Sequence, residues 1–323
     1  MRTITIFALA CLTAPQALLA QTAYTTPVGY TSQTLAANQF NLVGLTLHGA
    51  PLASGAFTTV SGTTLTDTNL AITPTAGRHY VLEILNGTFA GTIQELASTA
   101  ISGTTITTPD NLGSLGLLVG DKYSIRLAPT LEEIFGVDVN SVLARSLNSS
   151  AADIVWIPNG AGSYNQYFVH SSTSAFRIAG TITPAPNVPI IYTDGLLVQK
   201  RSTASTLTVS GNIKTIGSNS VAIQGFNLIS TGAPTGLTLF TSGLANDLAG
   251  SLNPISADLV WVPTGTGTYT QYFRHTSGNW RDVAASTVNL AADVALPSAV
   301  LIQRRSATPA NISLDVPTAY SGL

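Results

Sequence analysis

Short apolar runs rich in β-branched residues alternate along this chain with clusters of Gly, Asn, Asp and Pro, as at Ile190-Ile191-Tyr192 and Leu196-Leu197-Val198. Runs of that length, closed by turn-forming residues, predict β-strands. Strict alternation at Tyr164, Gln166, Phe168 and His170 places these four on one face of a strand and Asn165, Tyr167 and Val169 on the other. Long helical periodicity is missing. The clearest helix signal is Thr130-Leu131-Glu132-Glu133, a capping box that turns Leu131, Ile134 and Phe135 inward and ends at Gly136. A second short helix is expected over 140–147, with Val142, Leu143 and Leu147 inward. The pattern predicts an all-β fold with one or two short helices per module.

The strand pattern is written twice. Residues 146–170 read SLNSSAADIVWIPNGAGSYNQYFVH and residues 251–275 read SLNPISADLVWVPTGTGTYTQYFRH, with fifteen of twenty-five positions identical. Further matches flank this window: Phe40-Asn41-Leu42-Val43 with Phe226-Asn227-Leu228-Ile229, Phe176-Arg177 with Trp280-Arg281, and Gln199-Lys200-Arg201-Ser202 with Gln303-Arg304-Arg305-Ser306. Self-similarity over this length predicts two tandem related β-modules, 21–205 and 206–323. The opening matches lie farther apart than the later ones, so the first module carries an insert over about 48–129. Its own strand signals (56–65, 80–85, 91–96, 104–107 and 123–127) predict a small β-domain, read as a partly closed barrel, with turns at Asn86-Gly87 and Ser102-Gly103.

In each copy Tyr167/Tyr272 stays on the second strand face while Val169 becomes Arg274. A face accepting either Val or Arg is expected to be wet, which makes Tyr167, Tyr272, Trp280 and Arg274 the candidate ligand-binding residues. Trp156 and Trp261 are expected in the module cores.

Met1-Arg2, the apolar run that follows and the small residues ending at Ala20 have the layout of a secretory signal peptide over 1–20. Cys11 after Ala8-Leu9-Ala10 loosely resembles a lipoprotein cleavage site, but the apolar stretch before it is short. Cleavage after Ala20 removes the chain's one cysteine, leaving no disulfide, thiolate metal site or cysteine nucleophile. No transmembrane segment is expected in the mature chain. Only 9% of residues are charged and the net charge is −2, which argues against a nucleic-acid partner.

Thr26-Pro27-Val28-Gly29-Tyr30, Phe40-Asn41-Leu42, Gly120-Asp121-Lys122-Tyr123-Ser124-Ile125-Arg126 and the repeated Trp-x-Pro and Tyr-x-Gln-Tyr-Phe runs occur in that order. The set resembles a family of exported, signal-peptide-bearing, β-rich bacterial proteins that carries no assigned activity. The resemblance implies an envelope setting by analogy and maps no catalytic residue onto this chain.

Chemistry-bearing motifs are sparse. The four histidines, His48, His79, His170 and His275, show no metal-ligand spacing, and His170 and His275 read as hydrogen-bonded strand ends. Asp153 and Asp258 precede Trp156 and Trp261 in equivalent places; a glycosidase would need two such acids across one bond, whereas a single Asp at a strand entrance more often accepts backbone hydrogen bonds. Lys200-Arg201 and Arg304-Arg305 read as solvated or locally paired cations. There is no nucleophile elbow, phosphate loop or dinucleotide fingerprint, so no catalytic residue, metal or cofactor is expected. These features imply an exported, non-catalytic protein of the cell surface or extracellular matrix, structural or adhesive. Its expected partners are surface polysaccharide or other envelope proteins. Carbohydrate binding through exposed aromatics is the alternative, and an exported hydrolase is the more remote one.

Overall fold

The computed structural model describes residues 27–160, 162–201, 203–264 and 267–320. The expected leader at 1–20 and Cys11 lie outside them. The protein is all-β, with antiparallel sheets and a few one-turn helices. No described helix is long and apolar enough to cross a membrane.

Two five-stranded sheets share one strand order. The first runs Ala175–Ile178, Tyr164–His170, Ile154–Pro158, Gly195–Lys200, Gln39–Gly44; the second runs Trp280–Asp282, Tyr269–Arg274, Leu259–Pro263, Ala299–Arg304, Gly225–Ser230. Each is covered on one face by a smaller sheet. Val28–Leu35, Ser205–Ile213 and Leu47–His48 cover the first, and Ser218–Ala222 paired with Ala310–Leu314 covers the second. Alternation explains the layers: Val155, Val169, Leu196 and Val198 enter the first core, with Leu35 and Leu207 opposite them. Because Leu207 and Val209 pack in this core, the first unit continues through Ser205–Ile213, past the boundary expected at residue 205.

The helix at Leu131–Phe135 forms with its capping box intact: Thr130 Oγ1 accepts from Glu133 N at 3.3 Å and Glu133 Oε2 from Thr130 N at 2.9 Å. The helix expected over 140–147 does not form. Ser141 Oγ instead donates to the Phe135 and Gly136 carbonyls, and the Val142 carbonyl accepts from Lys200 Nζ and Ser205 Oγ, which removes it from any helical ladder.

The inserted segment forms two four-stranded sheets around one core that includes Phe57, Leu82, Tyr123 and Ile106, so it is a small sandwich and not a barrel. The run expected as one strand over 56–65 is broken into a hairpin, Thr59–Ser61 with Thr64–Thr66. Val81 faces away from the insert's core and joins that of the first unit. Deleting the insert would therefore open a hole in its host.

The two units meet about a pseudo-twofold axis through the edge strands Gln39–Gly44 and Gly225–Ser230 and their neighbours Gly195–Lys200 and Ala299–Arg304. Gly44 lies against Ser230, its own equivalent, and Gly195 against Ala299, likewise its equivalent. A Cβ at Gly44 would stand 1.9 Å from the Ser298 carbonyl oxygen, so only glycine permits this approach. Self-equivalent contacts of this kind are the signature of an isologous interface.

Candidate functional site

The alternation that sends Val155 and Ile157 inward sends Trp156 to the opposite face of its sheet, beside Tyr164 and Leu197. The second sheet does the same with Trp261, Tyr269 and Leu301. Where the units dock, these outer faces line one open groove of about 760 Å³. Its floor is Leu42, Leu197, Leu228 and Leu301, with the buried Ala299 in the same apolar cluster. Each wall is an aromatic trio joined edge to face: Phe40–Trp156 at 5.8 Å and Trp156–Tyr164 at 6.3 Å on one side, Phe226–Trp261 at 5.5 Å and Trp261–Tyr269 at 6.2 Å on the other. Gln39 and Gln224 stand at the rim.

Every aromatic in the groove has its partner in the other unit. Phe40 and Phe226 are held by the Asn that follows each of them. Asn41 Nδ2 donates to the Ala36 and Val198 carbonyls, and Asn227 Nδ2 to those of Ile223 and Ile302. Among the described residues the indole N–H groups of Trp156 and Trp261 find no acceptor although both nitrogens are buried. Burial raises the phenols of Tyr164 and Tyr269, keeping both neutral donors at ordinary pH.

The residues expected to bind ligand lie elsewhere. Trp280, at 2% exposure, is inside the second core, as Phe176 is in the first. Tyr167 and Tyr272 are half-buried and pack against the two cores, and Val169 is fully buried, so the strand face expected to be wet is the inner one. Arg274 is accommodated there because its guanidinium donates to the Ala245 carbonyl. Conversely Trp156 and Trp261 are groove residues and not members of the two module cores. The sequence had marked them by repetition, and Phe40 and Phe226 by the repeated Phe-Asn-Leu.

The repeated acids are structural. Asp153 is fully buried, accepting from Ala144 N and Arg201 N, both at 2.7 Å, and pairing with Lys200 Nζ at 2.5 Å. Asp258 repeats this with Ala249 N at 2.9 Å, Arg305 N at 2.7 Å and Arg304 at 3.6 Å. Each acid stays within its own unit. His170 and His275 bond to hydroxyls just beyond their strand ends, Thr173 at 3.2 Å and Ser277 at 2.9 Å. Among the described residues no group of three or more His, Cys, Asp or Glu could hold a metal ion.

A second polar cluster, with no local sequence motif, lies buried where the insert meets the first unit. Glu83 Oε1 pairs with Lys214 Nζ, and Glu83 Oε2 with Arg126 Nη1 at 2.6 Å. Arg126 also donates to Ser124 Oγ at 2.7 Å. His48 lies against Tyr192 with ring centroids 4.2 Å apart and planes tilted by 46°, and neither ring nitrogen has a partner among the described residues. Burial, followed by the charges of Lys214 and Arg126, brings the His48 imidazole down to about 3. Near the first groove wall, burial and the charge of Glu95 push Asp194 up to about 7.

These shifts act on stability with opposite signs. Below pH 6.5 the unfolded chain protonates His48 while the folded one does not, so His48 costs stability as pH falls from 6.5 toward 3. Asp194 binds its proton more tightly when folded, so its contribution is present below 3.8 and is lost as pH rises toward 7. In urea unfolding across pH 4–7, His48→Phe should therefore gain on the wild type as pH falls, and Asp194→Asn as pH rises. Parallel profiles for all three proteins would refute the assignment.

No family model, curated protein or solved structure matches the chain.

Proposed function

We propose that this is an exported, non-catalytic protein of the cell surface or extracellular matrix that acts in attachment by binding an extended saccharide in the paired aromatic groove. The groove itself carries the reading. Indole and phenyl rings offer flat apolar faces to the C–H face of a pyranose, while the phenol and amide groups of Tyr164, Tyr269, Gln39 and Gln224 can meet its hydroxyls. Two equal half-sites suit a ligand built of repeating units. The fully buried, ion-paired state of Asp153 and Asp258 argues against a hydrolytic pair at this place. Export is supported by the leader-like first twenty residues and by the resemblance to exported bacterial proteins.

The test is affinity electrophoresis of the full chain against a panel of soluble envelope polysaccharides, followed by Trp156→Ala and Trp261→Ala. Each single variant should weaken binding about tenfold, and the double variant about a hundredfold, since the half-sites contribute separately. Retention of full affinity by the double variant, or no retardation by any polysaccharide, would reject the saccharide reading.

A further inference from the structure

Two buried lysines touch buried carboxylates in this protein, and the two pairs differ chemically. At Lys200–Asp153 the carboxylate also accepts two backbone N–H groups, so both of its oxygens are held in structural hydrogen bonds. The equivalent pair in the second unit is Arg304–Asp258, so an ion pair suffices at that place. Lys214–Glu83 has no counterpart in the second unit. Both of its side chains are at most 3% exposed, and Glu83 accepts no backbone N–H among the hydrogen bonds of the described residues. It joins strand His79–Ile84 of the insert to the segment that follows Ser205–Ile213, across 131 positions of sequence.

We infer that Lys214 and Glu83 form an intramolecular isopeptide bond, making this junction a self-modification site. The reaction is a condensation that needs no added reagent. One proton passes from the Lys214 ammonium to Glu83 Oε1, giving a free amine and a carboxylic acid. Nζ attacks the Glu83 carboxyl carbon, a C–N bond forms, and negative charge develops on Oε2, where the Arg126 guanidinium already donates. A second proton from nitrogen goes to Oε1, the C–O bond breaks, and one water leaves. Total charge is unchanged: two cations and one anion become the Arg126 cation beside a neutral amide.

The surroundings favour each step. Burial lowers the affinity of Lys214 for its proton, and Arg126 pushes the same way, although Glu83 opposes both. Burying a charged pair is costly, and condensation removes two of the three charges. The chain has one cysteine, so no internal disulfide can tie these segments together.

Intact mass spectrometry of the denatured full chain, with its N-terminus determined by sequencing, tests this directly. The wild type should be lighter than its sequence mass by one water, and a digest should yield a branched peptide joining the Glu83 and Lys214 segments. Lys214→Arg should show the full mass and no branched peptide, and Lys200→Arg should still lack one water. A wild-type chain at full mass, or a branch joining Asp153 to Lys200, would overturn the inference. Because the wild type alone is decisive, the result stands even if the Lys214 variant fails to fold, and it is independent of saccharide binding.

Discussion

Replacing Trp280 by Ala should destabilise the protein by ~3–5 kcal/mol, the usual loss when a large aromatic is deleted from a packed core. Trp280 is 2% exposed and packs in the second unit among Leu239, Val260 and Ile302. Trp261, two strands away in the same sheet, has its ring against the groove, so Trp261→Ala removes fewer contacts and opens no closed cavity. Urea unfolding of the two variants side by side decides the matter. The Trp280 variant should lose several times more stability than the Trp261 variant. Equal losses would mean that Trp261 supports the core as much as Trp280 does, and would undo its assignment to the groove.

Asp258→Ala should cost ~3–5 kcal/mol as well, by a different route, because it strands a buried cation. The carboxylate faces Arg304, 6% exposed, and accepts from Ala249 N and Arg305 N. Without it the guanidinium loses its counter-ion and the two amides lose their acceptor. Asp258→Asn, which keeps an acceptor oxygen for the amides, should lose less. Adding Arg304→Met to Asp258→Ala should restore part of the loss, since the unpaired charge is then gone. Thermal melts of the three variants measure this, and a double variant no better than Asp258→Ala would show that the backbone bonds, not the ion pair, carry the energy.

Much of the architecture was legible from residues alone. The strand Tyr164–His170, the capped helix at Thr130 and the insert's position follow from alternation, one capping box and the spacing of two Phe-Asn-Leu segments. The hydrogen-bonding role of Asp153 was legible too, because its place before a strand limits what it can do. The orientation of the strand faces was not. Val169 and Arg274 occupy equivalent inner positions, and the exchange is tolerated because a long guanidinium stem can pass the core edge and reach the Ala245 carbonyl. The groove was hidden for a related reason: it exists only because Gly44 and Gly195 let two outer faces meet, and no pattern within one strand reports its docking. The buried cluster draws on positions 48, 83, 126, 192 and 214. Its one local clue is a lone Glu within the apolar run Tyr80-Val81-Leu82-Glu83-Ile84.

The sheet that covers the first core pairs Val28–Leu35 with Ser205–Ile213, and Ser32 bonds to Thr208 across 176 positions. During synthesis, the first strand therefore waits for its partner until nearly two-thirds of the chain has been made. Contacts so distant in sequence slow folding, because loop-closure entropy is lost before they form. Under the export proposed above, that delay would be useful: the first sheet could not close until most of the chain had passed the translocation channel.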